Sequence, residues 1–317
     1  MNFFNTNNIN KNIHYPDIYF TPEYGKACEC SDNAEWELCQ FKDLIYVYLK
    51  RPYVFDEKTY YDLISPYGYA GYYFEKQETF DEFIPLFREE SIKRNYLTEV
   101  VKQTPYFNID IESCYQVITR KKICSIEVNT YDNYYNNTLN SKTRNMINKA
   151  KKHNMTHTIT PMSCELLKSN FLPLYNFTMD KVNADKYYYF NDEYYKCIEH
   201  LPGGYLVNVM NIEKQVIGSS IIFTHSNIVH YHLSCNDNSS NCITSYLLSS
   251  VIHEMAEGKR LILGCGVSKD DSLYKFKKKM STHEYDYTIY KNILNKDIYQ
   301  RINPHDIGEK FPNHLYR

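Results

Sequence analysis

The order of elements in the second half of the chain constrains the fold most. A helix at 166–178, interrupted at Pro173, and another at 192–199 precede strands at 205–210, 215–224 and 228–235. The first two strands are joined by a turn at 211–214. A helix at 242–257 follows, with Leu247, Val251 and Met255 at i, i+4 and i+8 and Gly258 as its stop. A strand at 260–263, a helix at 272–280 and a strand at 285–291 complete the half. Three meandering strands, then helix, strand, helix, strand, imply a mixed, mainly antiparallel sheet flanked by helices.

The first half gives a degraded version of that order. Strands are expected at 43–50 and 60–64, a Gly/Tyr loop at 65–71, and a helix at 80–95 carrying Phe83, Leu86 and Phe87. Short strands near 97–101 and 115–128, a polar loop at 130–140 and a basic helix at 141–153 follow. The expectation is an α/β (α+β) chain of two tandem, similar domains, 1–150 and 151–317, with no coiled-coil arm and no visible sequence repeat.

Composition adds limits. Thirty-three Tyr against one Trp supply surface that is apolar in body and polar at the tip, suited to clefts that stack or hydrogen-bond ligands. The ten Cys are scattered without a CxxC pair, as in a reduced intracellular protein. The Asn-rich start at 1–12 has no apolar stretch of a signal peptide, and the longest apolar runs are strand-sized. A cytoplasmic protein is therefore expected, at most peripheral to the inner membrane face. A net charge of −2 argues against coating a long polyanion. The clusters Lys142, Arg144, Lys149, Lys151, Lys152 and Lys275, Lys277, Lys278, Lys279 favour a compact anionic ligand instead.

The segment Leu263-Gly264-Cys265-Gly266-Val267 ends a strand in two glycines, and a helix then starts at Asp271-Ser272. Such glycines let backbone N–H groups approach a ligand, and the helix start favours a negative group. On that helix Leu273, Phe276 and Met280 form one apolar stripe, and Lys275, Lys278 and Lys279 lie opposite. Lys277 falls about 40° from Leu273, at the edge of the buried stripe, and calls for an anionic partner. On the basic helix Arg144 and Lys151 line one edge, placed to capture phosphate. The turn Ser65-Pro66-Tyr67-Gly68-Tyr69-Ala70-Gly71 displays aromatics at its tip. His230 and His232 alternate on a strand but lack a third ligand, so no metal site is expected. No nucleophile elbow, P-loop, GxGxxG or Cys–His signature occurs.

Read together, the 65–71 turn, Arg144 to Lys151, Leu174-Tyr175 through Thr178-Met179, Tyr187-Tyr188, and Leu263-Gly264 through Leu273-Tyr274-Lys275-Phe276-Lys277 resemble the FemABX-like family. The ending Phe311-Pro312 with Tyr316-Arg317 is similar too. The resemblance implies two GNAT-like domains that transfer an amino acid from aminoacyl-tRNA to an amine of a cell-wall precursor. It implies that Phe276 and Lys277 lie near the donor's 3′ end and the reaction centre. Arg144, Lys181, Tyr187, Tyr188 and Tyr231 would line the donor or acceptor groove. The chain departs from the family pattern at Lys181, where many members carry Arg, and at Cys265, which interrupts a glycine run. The candidate site thus comprises Lys277 and Phe276 as catalytic residues. Tyr67, Gly68, Tyr69, Gly71, Arg144, Lys151, Lys181, Tyr187, Tyr188, Tyr231, Gly264, Gly266 and Tyr274 are the substrate-binding set. No cofactor is implied beyond the acyl donor. Two other readings stay open: an acyl-CoA-dependent N-acyltransferase acting on a surface sugar or small amine, and a non-catalytic binding module. Against CoA stands the 235–240 loop, which lacks the glycines of a CoA-binding loop.

Overall fold

The computed structural model describes residues 1–266, 271–304 and 311–316; Val267, Arg317 and the Tyr316 side chain lie outside the described residues. In chain order the strands are β1 Asn2–Asn5, β2 Glu35–Phe41, β3 Leu44–Phe55, β4 Lys58–Ile64, β5 Gly71–Tyr73, β6 Tyr96–Lys102 and β7 Gln116–Glu127. Then come β8 Thr156–Pro161, β9 Gly204–Met210, β10 Val216–His225, β11 Ile228–Asn236, β12 Arg260–Gly264 and β13 His283–Ile293. The principal helices are α1 Pro22–Asp32, α2 Gln77–Lys93, α3 Ser141–Lys152, α4 Leu172–Lys181, α5 Asp192–Ile198, α6 Ile243–Val251, α7 Ser272–Met280 and α8 Lys296–Ile302.

Two units result: Met1–Lys121 with the chain from Asp286 onward, and Lys122–Tyr285. This division differs from the sequence boundary at 150/151. Ile147 and Ala150 of α3 share a core with Leu247 and Val251 of α6 inside the second unit, and the last stretch of chain returns to the first.

In the first unit the strands run β1-β2-β3-β4-β6-β13, with β5 paired to β3. All of these pairs are antiparallel except β4 with β6. Its core is aromatic. Tyr46 and Tyr72 stack at 3.9 Å, and α2 lays Phe80, Phe83 and Phe87 over them. Leu86, expected on that face, is exposed, and Ile84 is buried instead. The buried phenols are satisfied by acids: Tyr48 and Tyr96 donate to Glu37, and Tyr46 donates to Glu99 at 3.0 Å. Burial pushes the Glu99 carboxyl above its usual range. Many of the tyrosines that composition associates with clefts are thus core residues.

In the second unit the order is β7-β12-β11-β10-β9-β8. Only β11 with β12 is parallel; the other pairs are antiparallel. The core is mostly aliphatic, with Val207, Val209, Val229 and Leu261 of the sheet against α3 and α6. Pro173 does not interrupt a helix. The chain is helical without a break from Cys164 to Lys181, and a π turn at Leu167–Phe171 directly precedes Pro173. A π turn at Ile252–Ala256 extends α6 and buries Ile252 and Ala256, leaving Met255 half-buried.

Candidate functional site

Parallel pairing of β11 with β12 covers three residue pairs: Ile228 with Arg260, Val229 with Leu261, and His230 with Ile262. Beyond them β11 continues along β10 to Asn236, while β12 stays on β7 as far as Gly264. The facing edges therefore part after His230 and Ile262. An opening at the carboxyl ends of parallel strands is where open α/β sheets hold ligands. A bulge lies at the same level: Tyr231 faces Ile222 and Leu233 faces Ile221, so His232 is the extra residue.

On the other lip, Gly264 ends β12 at φ +82°, a left-handed conformation that side chains rarely adopt. Cys265 and Gly266 carry the chain toward α7, whose N-cap is Asp271; its carboxylate accepts the Tyr274 N–H at 2.7 Å. The face that α7 buries is Lys277 and Met280, with Tyr274 and Phe276 half-buried against the core. Leu273, expected in the apolar stripe, is 43% exposed. Lys275, Lys278 and Lys279 are exposed as expected.

Lys277 is only 8% exposed, and its Nζ donates to the Cys265 carbonyl oxygen at 2.9 Å. The anticipated anionic partner is thus corrected to a neutral backbone oxygen. Burial holds the ammonium below the usual lysine value, with weaker opposing pulls from Cys265, Cys124 and Asp271. Among the described residues this is its one hydrogen bond, so N–H groups remain for an incoming oxygen.

Tyr188 is half-buried and within electrostatic reach of Cys265. Burial raises its phenol, with smaller contributions from Tyr187, Cys265 and Asp185, and its carbonyl accepts the buried Tyr175 hydroxyl at 2.8 Å. The structure thus gathers Gly264, Gly266, Tyr274, Phe276, Lys277 and Tyr188. Tyr187 and Lys181 are exposed nearby in sequence. Tyr231 turns its hydroxyl to Ser234 Oγ, within the strand.

The remaining candidates lie elsewhere. Arg144 donates from Nη1 to the carbonyls of Asn136 and Leu139, so its guanidinium secures the turn before α3. Lys151 is exposed, 5.6 Å over the Tyr135 ring. The outer face of α3 has a shallow depression lined by Asn145, Asn148, Lys149, Lys151, Lys152 and His153; Lys277 is not among them. Tyr67, Gly68, Tyr69 and Gly71 belong to the first unit. There Gly68 and Gly71 take φ +96° and +94°, and the Tyr69 ring packs edge-on against Tyr19, Tyr106 and Tyr287. Sequence reasoning quoted Tyr175 only within the family resemblance and did not single out Tyr194. It weighed His232 for metal alone. Among the described residues no group of three or more His, Cys, Asp or Glu side chains is placed to hold a metal ion, and no helix is long and apolar enough to cross a membrane.

The fold is shared with solved structures of low sequence identity. It is similar to the crystal structure of FemX, with a TM-score of 0.65 at 11% identity over 90% of this chain and 94% of that one. It is also similar to the C-terminal domain of a protein described as a lysylphosphatidylglycerol synthetase from Agrobacterium fabrum (TM-score 0.57, 9% identity, 88% of each chain). A third likeness is to L-PGS from Bacillus licheniformis (TM-score 0.53, 11% identity, 82% of each chain). No sequence-family model and no curated protein matches the chain.

Proposed function

We propose that this protein is an N-acyltransferase that moves an aminoacyl group from aminoacyl-tRNA to an amine of an anionic cell-envelope precursor. The observation that carries the reading is Lys277, a cation held out of water beside the strand opening by the carbonyl of a glycine-flanked turn. The shared fold with FemX supports it. A neutral acceptor amine attacks the ester carbonyl carbon, and negative charge gathers on the carbonyl oxygen. The Lys277 N–H groups meet that oxygen, and a desolvated cation stabilises nearby charge more than a solvated one. Direct attack needs no covalent enzyme intermediate. Phe276 and Tyr274 wall the donor's end, Gly264 and Gly266 let it approach the backbone, and Tyr188 with Tyr187, Tyr231 and Lys181 borders the groove. Lys151 offers charge to phosphate.

The acyl-CoA reading is disfavoured by a further observation. After β11 the Asn238 N–H donates to Asn236 Oδ1 at 2.8 Å and the Ser239 N–H to Asp237 Oδ1 at 2.9 Å. Backbone donors that a pyrophosphate needs are spent on the loop's own side chains, one of them a carboxylate.

The test uses total tRNA charged with a mixture of radiolabelled amino acids, plus a cell-envelope extract as acceptor. Wild-type protein should move label into an acid-stable amide, and Lys277→Ala should be slower by about a hundred- to a thousandfold. Absence of transfer by wild type overturns the reading; near-wild-type turnover by Lys277→Ala removes the role of Lys277.

A further inference from the structure

We propose that the outer face of α3 binds the phosphate backbone of an RNA duplex, the body of the acyl donor; the identity of that RNA rests on the aminoacyl-transfer reading above. The helix carries Lys142, Lys149, Lys151 and Lys152 without one acid between Ser141 and His153, and all four lysines are exposed. Among the described residues none of the four pairs with a carboxylate; Lys149 reaches only the neutral Asn241 amide oxygen at 3.4 Å. By contrast Lys42 meets Glu82, Lys93 meets Glu89, Lys196 meets Glu193 and Lys278 meets Glu284. On a chain of net charge −2, four uncompensated cations on one helix make a local positive field.

At about 100° per residue, Asn145, Asn148 and Lys152 run down the middle of the outer face, Lys142 and Lys149 flank one edge and Lys151 the other. Lys142 and Lys152 stand about 15 Å apart along the axis, so the cations match a row of phosphates and do not converge on a single one. The Asn148 oxygen accepts the Tyr135 hydroxyl at 2.8 Å, which leaves the Nδ2 hydrogens for phosphate or ribose oxygens. Of the exposed large apolar side chains none lies between Ile118 and Phe177, so the face lacks the anchors with which a basic helix enters a bilayer. The turn before α3 ties this face to α7. Tyr134 is buried, and its hydroxyl donates to the Met280 carbonyl at 2.5 Å, at the end of the helix that carries Lys277. Its neighbour Tyr135 holds Asn148 and places its ring 5.6 Å from the Lys151 ammonium. Arg144 closes the same turn from α3 through the Asn136 and Leu139 carbonyls. One short stretch, 134–139, therefore contacts both helices and fixes α3 relative to the helix of Lys277.

The experiment follows the binding of fluorescently labelled, uncharged total tRNA by anisotropy over a range of salt concentrations. Wild type should bind, with an affinity that falls steeply as salt rises. Lys149→Gln combined with Lys152→Gln should weaken binding by about tenfold or more and reduce the salt slope by about 2, one for each lost phosphate contact. Lys149→Arg combined with Lys152→Arg should keep both affinity and slope, which separates charge from structure. In the charged-tRNA assay the Gln pair should raise KM by about tenfold with a smaller change in kcat. An aminoacylated 3′-terminal dinucleotide, which has no duplex, should serve the Gln pair and wild type equally. A Gln pair with wild-type affinity and slope overturns the proposal, and so does a wild type that fails to bind tRNA. Loss of binding to phosphatidylglycerol vesicles in the Gln pair, with tRNA binding kept, assigns the face to a membrane and also overturns it. A wild type that binds tRNA through these lysines but transfers nothing takes down the aminoacyl reading alone.

Discussion

A methyl group on Gly266 would come 2.5 Å from Asp271 Oδ1, the same oxygen that accepts the Tyr274 N–H at the start of α7. The glycine and the cap are thus one device that sets how α7 leaves the turn. Gly266→Ala should displace the Asp271 carboxylate and cost about 1 kcal/mol of cap energy. It should also slow transfer by up to about a hundredfold, because Lys277 rides on the displaced helix. Urea unfolding and the transfer rate check this together. An unchanged midpoint with an unchanged rate would show that the turn accommodates the methyl.

Lys277 is expected to weaken the fold that it serves. Its folded-state pKa lies below 10.5, so the unfolded chain holds the proton more tightly. The penalty is full below the lowered folded value and fades as pH rises from there toward 10.5. Lys277→Met should therefore stabilise the protein near neutral pH, on the order of 1 kcal/mol, while losing transfer. The stability gap between the two proteins should close as pH rises. Unfolding midpoints measured from pH 7 to pH 10 decide the sign; a gap that widens contradicts the buried-charge account.

How much of this was legible depends on how local each signal is. The meander of β9, β10 and β11 followed by α6, β12 and α7 was readable, because each element carries its own periodicity and stop residue. Lys277 was placed at a buried edge by helical geometry alone, yet its partner was not, since a backbone carbonyl leaves no mark in sequence. Strand β8 escaped notice because its exposed edge position needs little apolar patterning. The unit boundary was missed because α3, polar on most of its surface, spends Ile147 and Ala150 on a core formed with distant α6. Cys265 broke a glycine run in sequence, whereas in space it is the residue that fixes the lysine. The bulge at His232 depends on a register slip that alternation cannot show.

The loop after β11 makes a prediction about CoA. With the Asn238 and Ser239 amides already taken by Asn236 and Asp237, titration with CoA should leave the melting temperature unchanged. A ligand bound at about 100 times its Kd would add roughly 2.7 kcal/mol, which a thermal-shift assay resolves easily. A saturable rise in melting temperature would restore the acyl-CoA reading.

The first unit holds a buried pair that the sequence did not announce, 252 residues apart in the chain. His314 Nε2 lies 2.6 Å from Asp62 Oδ2, with the two side chains 0% and 5% exposed. Thr98 donates to the other oxygen of the same carboxylate, and the His314 ring packs at 4.5 Å against Tyr53. This contact ties the end of the chain to β4. His314→Ala would leave the Asp62 carboxylate buried with one donor fewer and open space beside Tyr53. The expected loss is about 2 kcal/mol, the scale of a hydrogen bond to a charged group. Asp62→Ala should cost a similar amount, and the double variant should cost less than the sum, because the two losses share one interaction. Chemical unfolding of the three variants gives the coupling directly. Additive losses would mean that the two side chains contribute separately, and the tie between β4 and the end of the chain would then have to rest on packing alone.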